Sequence, residues 1–132
     1  MNQDTQPAGN SPVTLINVFE VPSEHVDVFI TQWRERAVLM STKHGFLNSR
    51  LHRAISSQSR FQLVNVAHWE SREAYQAAIA DTEFQERIRA VTADPQVPIS
   101  ANPALYQVAV EFTGPVPDEH HRTSIPADRD PS

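Results

Sequence analysis

Two polar side chains on one predicted strand are the first residues that could do chemistry. Residues 60–71 read as a strand that runs into a helix, and Asn65, Ala67 and Trp69 point to the same side of that strand. Asn is depleted in strands, and a buried amide without a hydrogen-bond partner costs about 1–3 kcal/mol. An amide and an indole on either side of a small residue predict the floor of a pocket. A structural amide and a core aromatic would give the same pattern.

A second amide interrupts another apolar strand. Asn17 lies within residues 13–21 (VTLINVFEV), which are rich in β-branched side chains and apolar on both faces. If the two strands are neighbours, Asn17 and Asn65 lie close together. They would then form either one polar site or a structural amide pair that bridges two strands.

The elements that must position these residues alternate along the chain. Strands are predicted at 13–21, 46–55, 61–69 and 104–112, and helices at 24–41, 72–80 and 83–92, the last two separated by a break at Asp81–Thr82. Ser23, Ser71 and Asp81 are typical helix N-caps. The order β-α-β-β-α-β predicts an α+β, ferredoxin-like fold with a four-stranded antiparallel sheet and helices on one face.

The other face of this sheet needs cover as well, because both faces of the central strands are apolar. A second copy of the sheet would supply that cover. We therefore expect a homodimer in which the two sheets meet face to face as a dimeric α+β barrel.

Composition limits the class of protein. A chain of 132 residues predicts one folded domain at 13–112, between a flexible arm at 1–12 and a disordered tail at 113–132. The net charge of −5 without a basic run argues against nucleic acid as a partner. No apolar run predicts a membrane span, and no secretory signal is visible, so we expect a cytoplasmic protein without membrane contact.

Cofactor signals are weak. The chain has no Cys, only three Gly and six His without the spacing of a zinc site, so neither a metal nor a nucleotide is expected. His52 is either a base or an exposed polar residue. Tyr75 and Arg89 are either rim residues of a helix or pocket residues, and a buried Arg would stabilise an anionic substrate.

Three segments carry a resemblance. LINVFEVP around Asn17, Gly45-Phe46-Leu47, and VNVAHWESREAY from Val64 to Tyr75 resemble the antibiotic biosynthesis monooxygenase family, whose members are small dimeric α+β barrels. The resemblance covers residues 13–112. The sequence is most similar to the cofactor-independent, quinone-forming monooxygenases of aromatic polyketide pathways.

This resemblance implies a reaction without a bound cofactor. An electron-rich anthrone or phenol would react with O₂ to give a quinone or a hydroxylated product. The residues that the resemblance assigns to catalysis are Asn17, Asn65, Trp69, Tyr75, Arg89 and His52, and those expected to supply apolar walls are Phe29, Trp33 and Phe84. Trp69 and Asn65 would hold substrate oxygens, Arg89 would stabilise the anion, and Tyr75 or His52 would relay the proton.

Two alternatives stay open. The haem-degrading branch of the same family also has a first-strand Asn, which Asn17 matches. However, the positions of its Trp and of its iron-binding His fall on Ala78 and near Arg87-Ile88 here. The second alternative is a barrel without catalytic activity that binds an aromatic ligand.

Overall fold

The sheet has the predicted ferredoxin-like topology. The computed structural model describes residues 11–92 and 98–115. In chain order its elements are β1 (Val13–Glu20), a 3₁₀ turn (Ser23–His25), α1 (Val26–Met40), β2 (Phe46–Arg53), β3 (Leu63–Trp69), α2 (Arg72–Ile79), α3 (Thr82–Thr92) and β4 (Ser100–Tyr106). The four strands are antiparallel in the order β2-β3-β1-β4, so β1 and β3 are central neighbours, as in the ferredoxin-like arrangement.

Two of the three predicted helix caps are confirmed. The Ser71 hydroxyl accepts a hydrogen bond from the Ala74 amide at 3.0 Å, and Asp81 Oδ2 accepts one from the Phe84 amide at 3.0 Å. The prediction for Ser23 is wrong. Ser23 lies inside the 3₁₀ turn, and α1 begins after His25 without a side-chain cap.

Gly45 joins α1 to β2 in a conformation that favours glycine. Its φ is +87°, and a Cβ at this position would overlap the methyl group of Ala74 in α2. The Gly45 carbonyl also accepts a hydrogen bond from the Glu70 amide at 2.8 Å. This turn therefore packs the start of β2 closely against the end of β3.

A β-bulge at Leu47 changes the phase of β2. Phe46 is paired with Trp69, and the next paired residue is Asn48, opposite His68. Because the bulge adds one residue, the side chains on the helix side of the sheet switch from even to odd positions after it. Ser49 and Leu51, opposite Ala67 and Asn65, therefore follow Phe46 on that side.

The last strand differs from its prediction at 104–112. β4 spans Ser100–Tyr106, so it begins four residues before the predicted strand, includes Pro103, and ends before residue 112. Proline is tolerated here because β4 is an edge strand. Side-chain amides add to the pairing: Asn17 Oδ1 accepts from the Asn102 amide at 2.9 Å, and Asn102 Nδ2 donates to the Val18 carbonyl at 2.9 Å.

The core on the helix side of the sheet consists of two clusters. The Trp69 cluster comprises Val13, Leu15, Ala67, Trp69 and Ala78. The Phe29 cluster comprises Phe19, Val21, Val26, Phe29 and Leu63. On both central strands, the residues between the two clusters are the amides Asn17 and Asn65.

The opposite face of the sheet is not covered by a helix. Its central side chains, Ile16, Val18, Val64 and Val66, are partly exposed. Within residues 11–92 and 98–115, no helix has the length and apolar character needed to cross a membrane. The predicted arm and tail lie mostly outside the described residues.

Candidate active site

A cavity of about 300 Å³ lies between the sheet and the helices. This volume is at the lower end of the range for small-molecule sites, roughly 300–1,000 Å³. Its lining is mainly aliphatic and aromatic, and the side chains with polar atoms that line it are Asn17, Trp33, Arg36, Ser49, Asn65, Trp69 and Tyr75. An apolar cavity with a few polar groups is typical of a binding site for a small organic molecule.

The two strand amides lie side by side in the floor of this cavity. Asn17 and Asn65 are direct partners in the β1–β3 register. Opposite residues in an antiparallel pair have Cβ atoms about 4.5–5.5 Å apart. Asn17 Oδ1 accepts a hydrogen bond from the backbone amide of Asn102. Asn65 is 8% exposed, and its buried Oδ1 has no hydrogen-bond partner. A ligand that donates a hydrogen bond would satisfy Asn65.

Trp69 is both a core residue and a possible ligand contact. It is 1% exposed and packs edge-on against Phe46 and Tyr75, with ring centroids 5.2 and 5.8 Å away. Its buried Nε1 has no hydrogen-bond partner. The indole body therefore stabilises the core, while its N–H is a buried donor without an acceptor on a residue that lines the cavity.

Tyr75 projects from α2 to the same cavity. Burial raises the pKa of its phenol above the ordinary value of 10.0. The hydroxyl is therefore protonated near neutral pH and can donate a hydrogen bond or a proton, but it is not a base there. Of the residues that the resemblance assigned to catalysis, Asn17, Asn65, Trp69 and Tyr75 line this cavity together, and Phe29, Trp33 and Phe84 are also among the lining residues.

The structure does not bring His52 or Arg89 to this cavity. His52 is exposed and is paired with Val64, so it points to the uncovered face of the sheet. The bulge at Leu47 is the cause, because without it His52 would share the face of Phe46. Arg89 is exposed on α3 and is not among the residues that line the cavity.

A different arginine lines the cavity. Arg36 in α1 is 6% exposed, its guanidinium lies over the Phe29 ring at 5.4 Å, and its Nη1 has no hydrogen-bond partner. Burial lowers the pKa of Arg36 from its ordinary value, although an Arg side chain keeps its proton. The sequence held a signal for it: Arg36 follows Trp33 by three residues and Phe29 by seven, on the same apolar stripe.

The donor atoms do not suit haem, the cofactor of the second family branch. Neither His nor Cys occurs among the described residues that line the cavity, which leaves the Tyr75 phenol and the Met40 thioether as possible iron ligands. Residues 11–92 and 98–115 also contain no group of three His, Cys, Asp or Glu side chains that could hold a metal ion.

Comparisons with known proteins identify the family. The profile of the antibiotic biosynthesis monooxygenase family matches residues 12–90. A solved structure of a proposed monooxygenase from Shewanella loihica is 32% identical, with a TM-score of 0.62, and the match covers 76% of this chain and 97% of that one. SnoaB, a cofactor-independent oxygenase from Streptomyces nogalater, is 22% identical over 79% of this chain and 99% of its own, with a TM-score of 0.63, and so shares the fold.

A curated relative represents the other branch. A mycobilin-producing haem oxygenase of Mycobacterium tuberculosis is 36% identical over 66 residues, which make up 50% of this chain and 61% of that protein. The matched region thus spans less than two thirds of this relative. The family profile, by contrast, covers more than half of the chain, including the strands that carry Asn17, Asn65 and Trp69. The chain belongs to the antibiotic biosynthesis monooxygenase family.

Proposed function

We propose that this protein is a cofactor-independent monooxygenase that oxidises an electron-rich aromatic compound, such as an anthrone or a phenol, with O₂. The observation that carries the proposal is a pair of buried, unpartnered polar atoms, Asn65 Oδ1 and Trp69 Nε1, on two residues that line the same apolar cavity. They supply one acceptor and one donor for a substrate that is otherwise apolar.

The reaction needs no bound redox group if the substrate itself reduces O₂. Transfer of a proton from the CH₂ group of an anthrone to water gives a carbanion that is conjugated with the ring oxygen. Its electron pair reduces O₂, and a C–O bond forms to give a peroxide anion, which takes up a proton. Loss of water from this hydroperoxide then leaves a quinone, so one oxygen atom enters the product and the other leaves as water.

Each residue has a role that follows from its atoms. The indole N–H of Trp69 donates a hydrogen bond to the substrate oxygen on which negative charge develops. The side-chain oxygen of Asn65, Oδ1, accepts a hydrogen bond from a substrate hydroxyl. Asn17 fixes the floor beside Asn65 through its bond to the Asn102 amide. Tyr75 is protonated and supplies the proton to the peroxide anion.

The apolar walls assist by excluding water. Phe29, Trp33 and Phe84 enclose the substrate ring. In such a surrounding, the hydrogen bonds from the polar residues are stronger than in water. The walls also limit proton transfer from solvent to the carbanion.

We also propose that the working unit is a homodimer. The uncovered sheet face presents the partly exposed apolar side chains Ile16, Val18, Val64 and Val66, which a second sheet would bury. The cavity lies on the other face of the sheet, so each subunit would carry its own site.

Haem degradation is a second candidate, favoured by the 36% identity to the mycobacterial haem oxygenase. The described lining argues against it, because it offers no imidazole to the iron. Addition of hemin separates the two candidates. A Soret shift followed by bleaching with a reductant would favour haem degradation, and an unchanged hemin spectrum would reject it.

Oxygen uptake with 1,8-dihydroxyanthrone as the substrate, and no added cofactor, tests the main proposal. We expect enzyme-dependent uptake above the spontaneous rate, and a loss of about 10²-fold in both Trp69→Phe and Asn65→Ala. Gln76→Ala is the matched control, because Gln76 is an exposed side-chain amide on α2 that does not line the cavity. If uptake is the same in the wild type and in both cavity variants, the proposed site is wrong.

A further inference from the structure

We propose that Arg36 binds a negative charge carried by the aromatic ligand, so that the cavity selects aromatic anions over neutral molecules of the same shape. The charge is an oxyanion on or next to the ring, either a carboxylate or an ionised phenol or enol. The inference deepens the proposed function, because it takes the cavity as the substrate site and names the chemical class of the substrate.

Arg36 is buried without a counter-charge. It is 6% exposed, and none of the ion pairs found in residues 11–92 and 98–115 involves it. Its contact with Phe29 is a cation–π contact, which leaves Nη1 without a hydrogen-bond acceptor. A buried charge without a counter-charge is strongly unfavourable. An Arg side chain cannot avoid this cost by becoming neutral, because it keeps its proton in proteins. A bound anion would supply the missing partner.

The position of Arg36 along α1 places it above the polar floor. Trp33 packs against the Phe29 cluster and Met40 packs against the Trp69 cluster, and Arg36 lies one turn from each of them. Asn17 and Asn65 mark the same gap between the clusters on the sheet. A planar ligand between the sheet and α1 would therefore have the two amides on one side and the guanidinium on the other.

The surroundings point to an aromatic anion rather than a highly charged one. Arg36 is the only cationic side chain among the described residues that line the cavity, and most of that lining is apolar or aromatic. A single guanidinium balances one negative charge and can bind a carboxylate through two N–H groups. A ring with one oxyanion fits this balance, whereas a polyanion would leave charges unpaired in an apolar site.

Such a contact would also assist the reaction. A guanidinium beside a phenol or enol oxygen favours the ionised form, because it stabilises the negative charge. The ionised ring is the form that gives an electron to O₂. Arg36 would then contribute the anion stabilisation that the resemblance assigned to Arg89.

Binding of quinones that do not react with O₂ tests the inference separately from catalysis. Trp33 and Trp69, the two tryptophans of the chain, both line the cavity, so quenching of their fluorescence reports occupancy. The first pair of probes is anthraquinone-2-carboxylate and anthraquinone-2-carboxamide, which have the same shape and differ in charge. The second probe is 2-hydroxyanthraquinone, whose ionisation is visible in its absorption spectrum.

We expect the wild type to bind the carboxylate at least about tenfold more tightly than the carboxamide. We also expect it to lower the apparent pKa of bound 2-hydroxyanthraquinone by about one unit. A preference for the carboxylate without a pKa shift of the phenol identifies a carboxylate as the ligand group. A shift of the phenol without that preference identifies the ring oxygen. Absence of both effects overturns the inference.

Two substitutions at Arg36 and one control assign the effects to this residue. Arg36→Met keeps a long buried side chain but removes the charge, and should abolish both effects, whereas Arg36→Lys should retain part of each. Arg34→Met is the control, because Arg34 is exposed on the same helix, and it should behave as the wild type. If Arg36→Met retains the preference for the anion, the inference is wrong.

The outcomes of the two experiments are distinguishable. Anion preference without oxygen uptake would reject the monooxygenase and keep Arg36 as an anion anchor. Oxygen uptake without anion preference would keep the monooxygenase and reject Arg36 as an anion anchor. If Arg36 had only a structural role, Arg36→Met would be less stable than the wild type and would bind the anthraquinone carboxylate and carboxamide more weakly by the same factor. We expect Arg36→Met to be at least as stable as the wild type, because it replaces an unpaired buried charge.

Discussion

At the scale of single residues, the distribution of unsatisfied polar atoms is the main evidence for a site. Native proteins leave few buried polar atoms without a partner. In the described part of this chain, the buried side-chain atoms without one are Arg36 Nη1, Asn65 Oδ1 and Trp69 Nε1, and all three residues line the same cavity. Their concentration at one place is what a site for a polar aromatic ligand requires.

Tyr75 makes a prediction about stability at alkaline pH. Its folded-state pKa is raised above 10.0 by burial, so the contribution of the neutral phenol is fully present below about pH 10 and is lost as the pH rises through the folded-state pKa. We expect the free energy of unfolding in urea to be constant with respect to this group below about pH 10 and to fall as the pH rises above about 10. In Tyr75→Phe this fall should be smaller.

The exposed tyrosine is the control for this measurement. Tyr106 is 50% exposed, and Tyr106→Phe should keep the decline of the wild type, because Tyr75 is still present. Equal declines in Tyr75→Phe and in the wild type would show that the phenol of Tyr75 is not protected by the fold.

How far the sequence predicts the cavity depends on the residue type. Asn65 and Trp69 could be selected because an amide is unusual in an apolar strand and the strand period relates it directly to the indole. Arg36 was missed because a charged residue on a helix is normally exposed. Only its spacing from Phe29 and Trp33 indicated that its side chain lies on the buried face of α1. The assignment of Arg89 to catalysis rested on the resemblance alone, and the fold places this residue outside the cavity lining.

At the scale of secondary-structure elements, local signals predicted the helices better than the strands. Ser71 and Asp81 cap helices as expected because an N-cap depends on residues close in sequence. The phase of β2 depends on the bulge at Leu47, and the bounds of β4 depend on pairing with β1. Neither is local, so the orientation of His52 and the inclusion of Pro103 in a strand were not predictable from periodicity.

The two candidate cap serines give a matched test at this scale. Ser71→Ala removes the acceptor of the Ala74 amide and should lower the free energy of unfolding by about 1 kcal/mol. Ser23→Ala should change it by less than about 0.5 kcal/mol, because Ser23 is exposed and makes no capping hydrogen bond. Urea denaturation at neutral pH measures both. Equal losses would mean that the cap at Ser71 contributes nothing specific.

At the scale of the whole molecule, the sheet has one face occupied and one available. The helices and the cavity occupy the first face, and the second presents the partly exposed Ile16 and Val66 with their neighbours. Beyond β4 the chain continues with alternating apolar residues that are well exposed, among them Val108 at 75% and Phe112 at 91%. Alternation is typical of a strand with one buried face, so this segment and the open face both match the pattern expected of an interface between subunits.

The homodimer is therefore the prediction that belongs to the whole molecule. Val66 lies in the central strand β3 on the open face, and Val66→Lys would place a charge in the middle of the proposed interface. Val28→Lys is the matched control, because Val28 is 57% exposed on α1, away from the sheet. Multi-angle light scattering after gel filtration should give a dimer for the wild type and for Val28→Lys, and a monomer for Val66→Lys. A buried Lys at such an interface is strongly unfavourable, so a Val66→Lys variant that stays dimeric would place the interface elsewhere, and a monomeric wild type would reject the dimer.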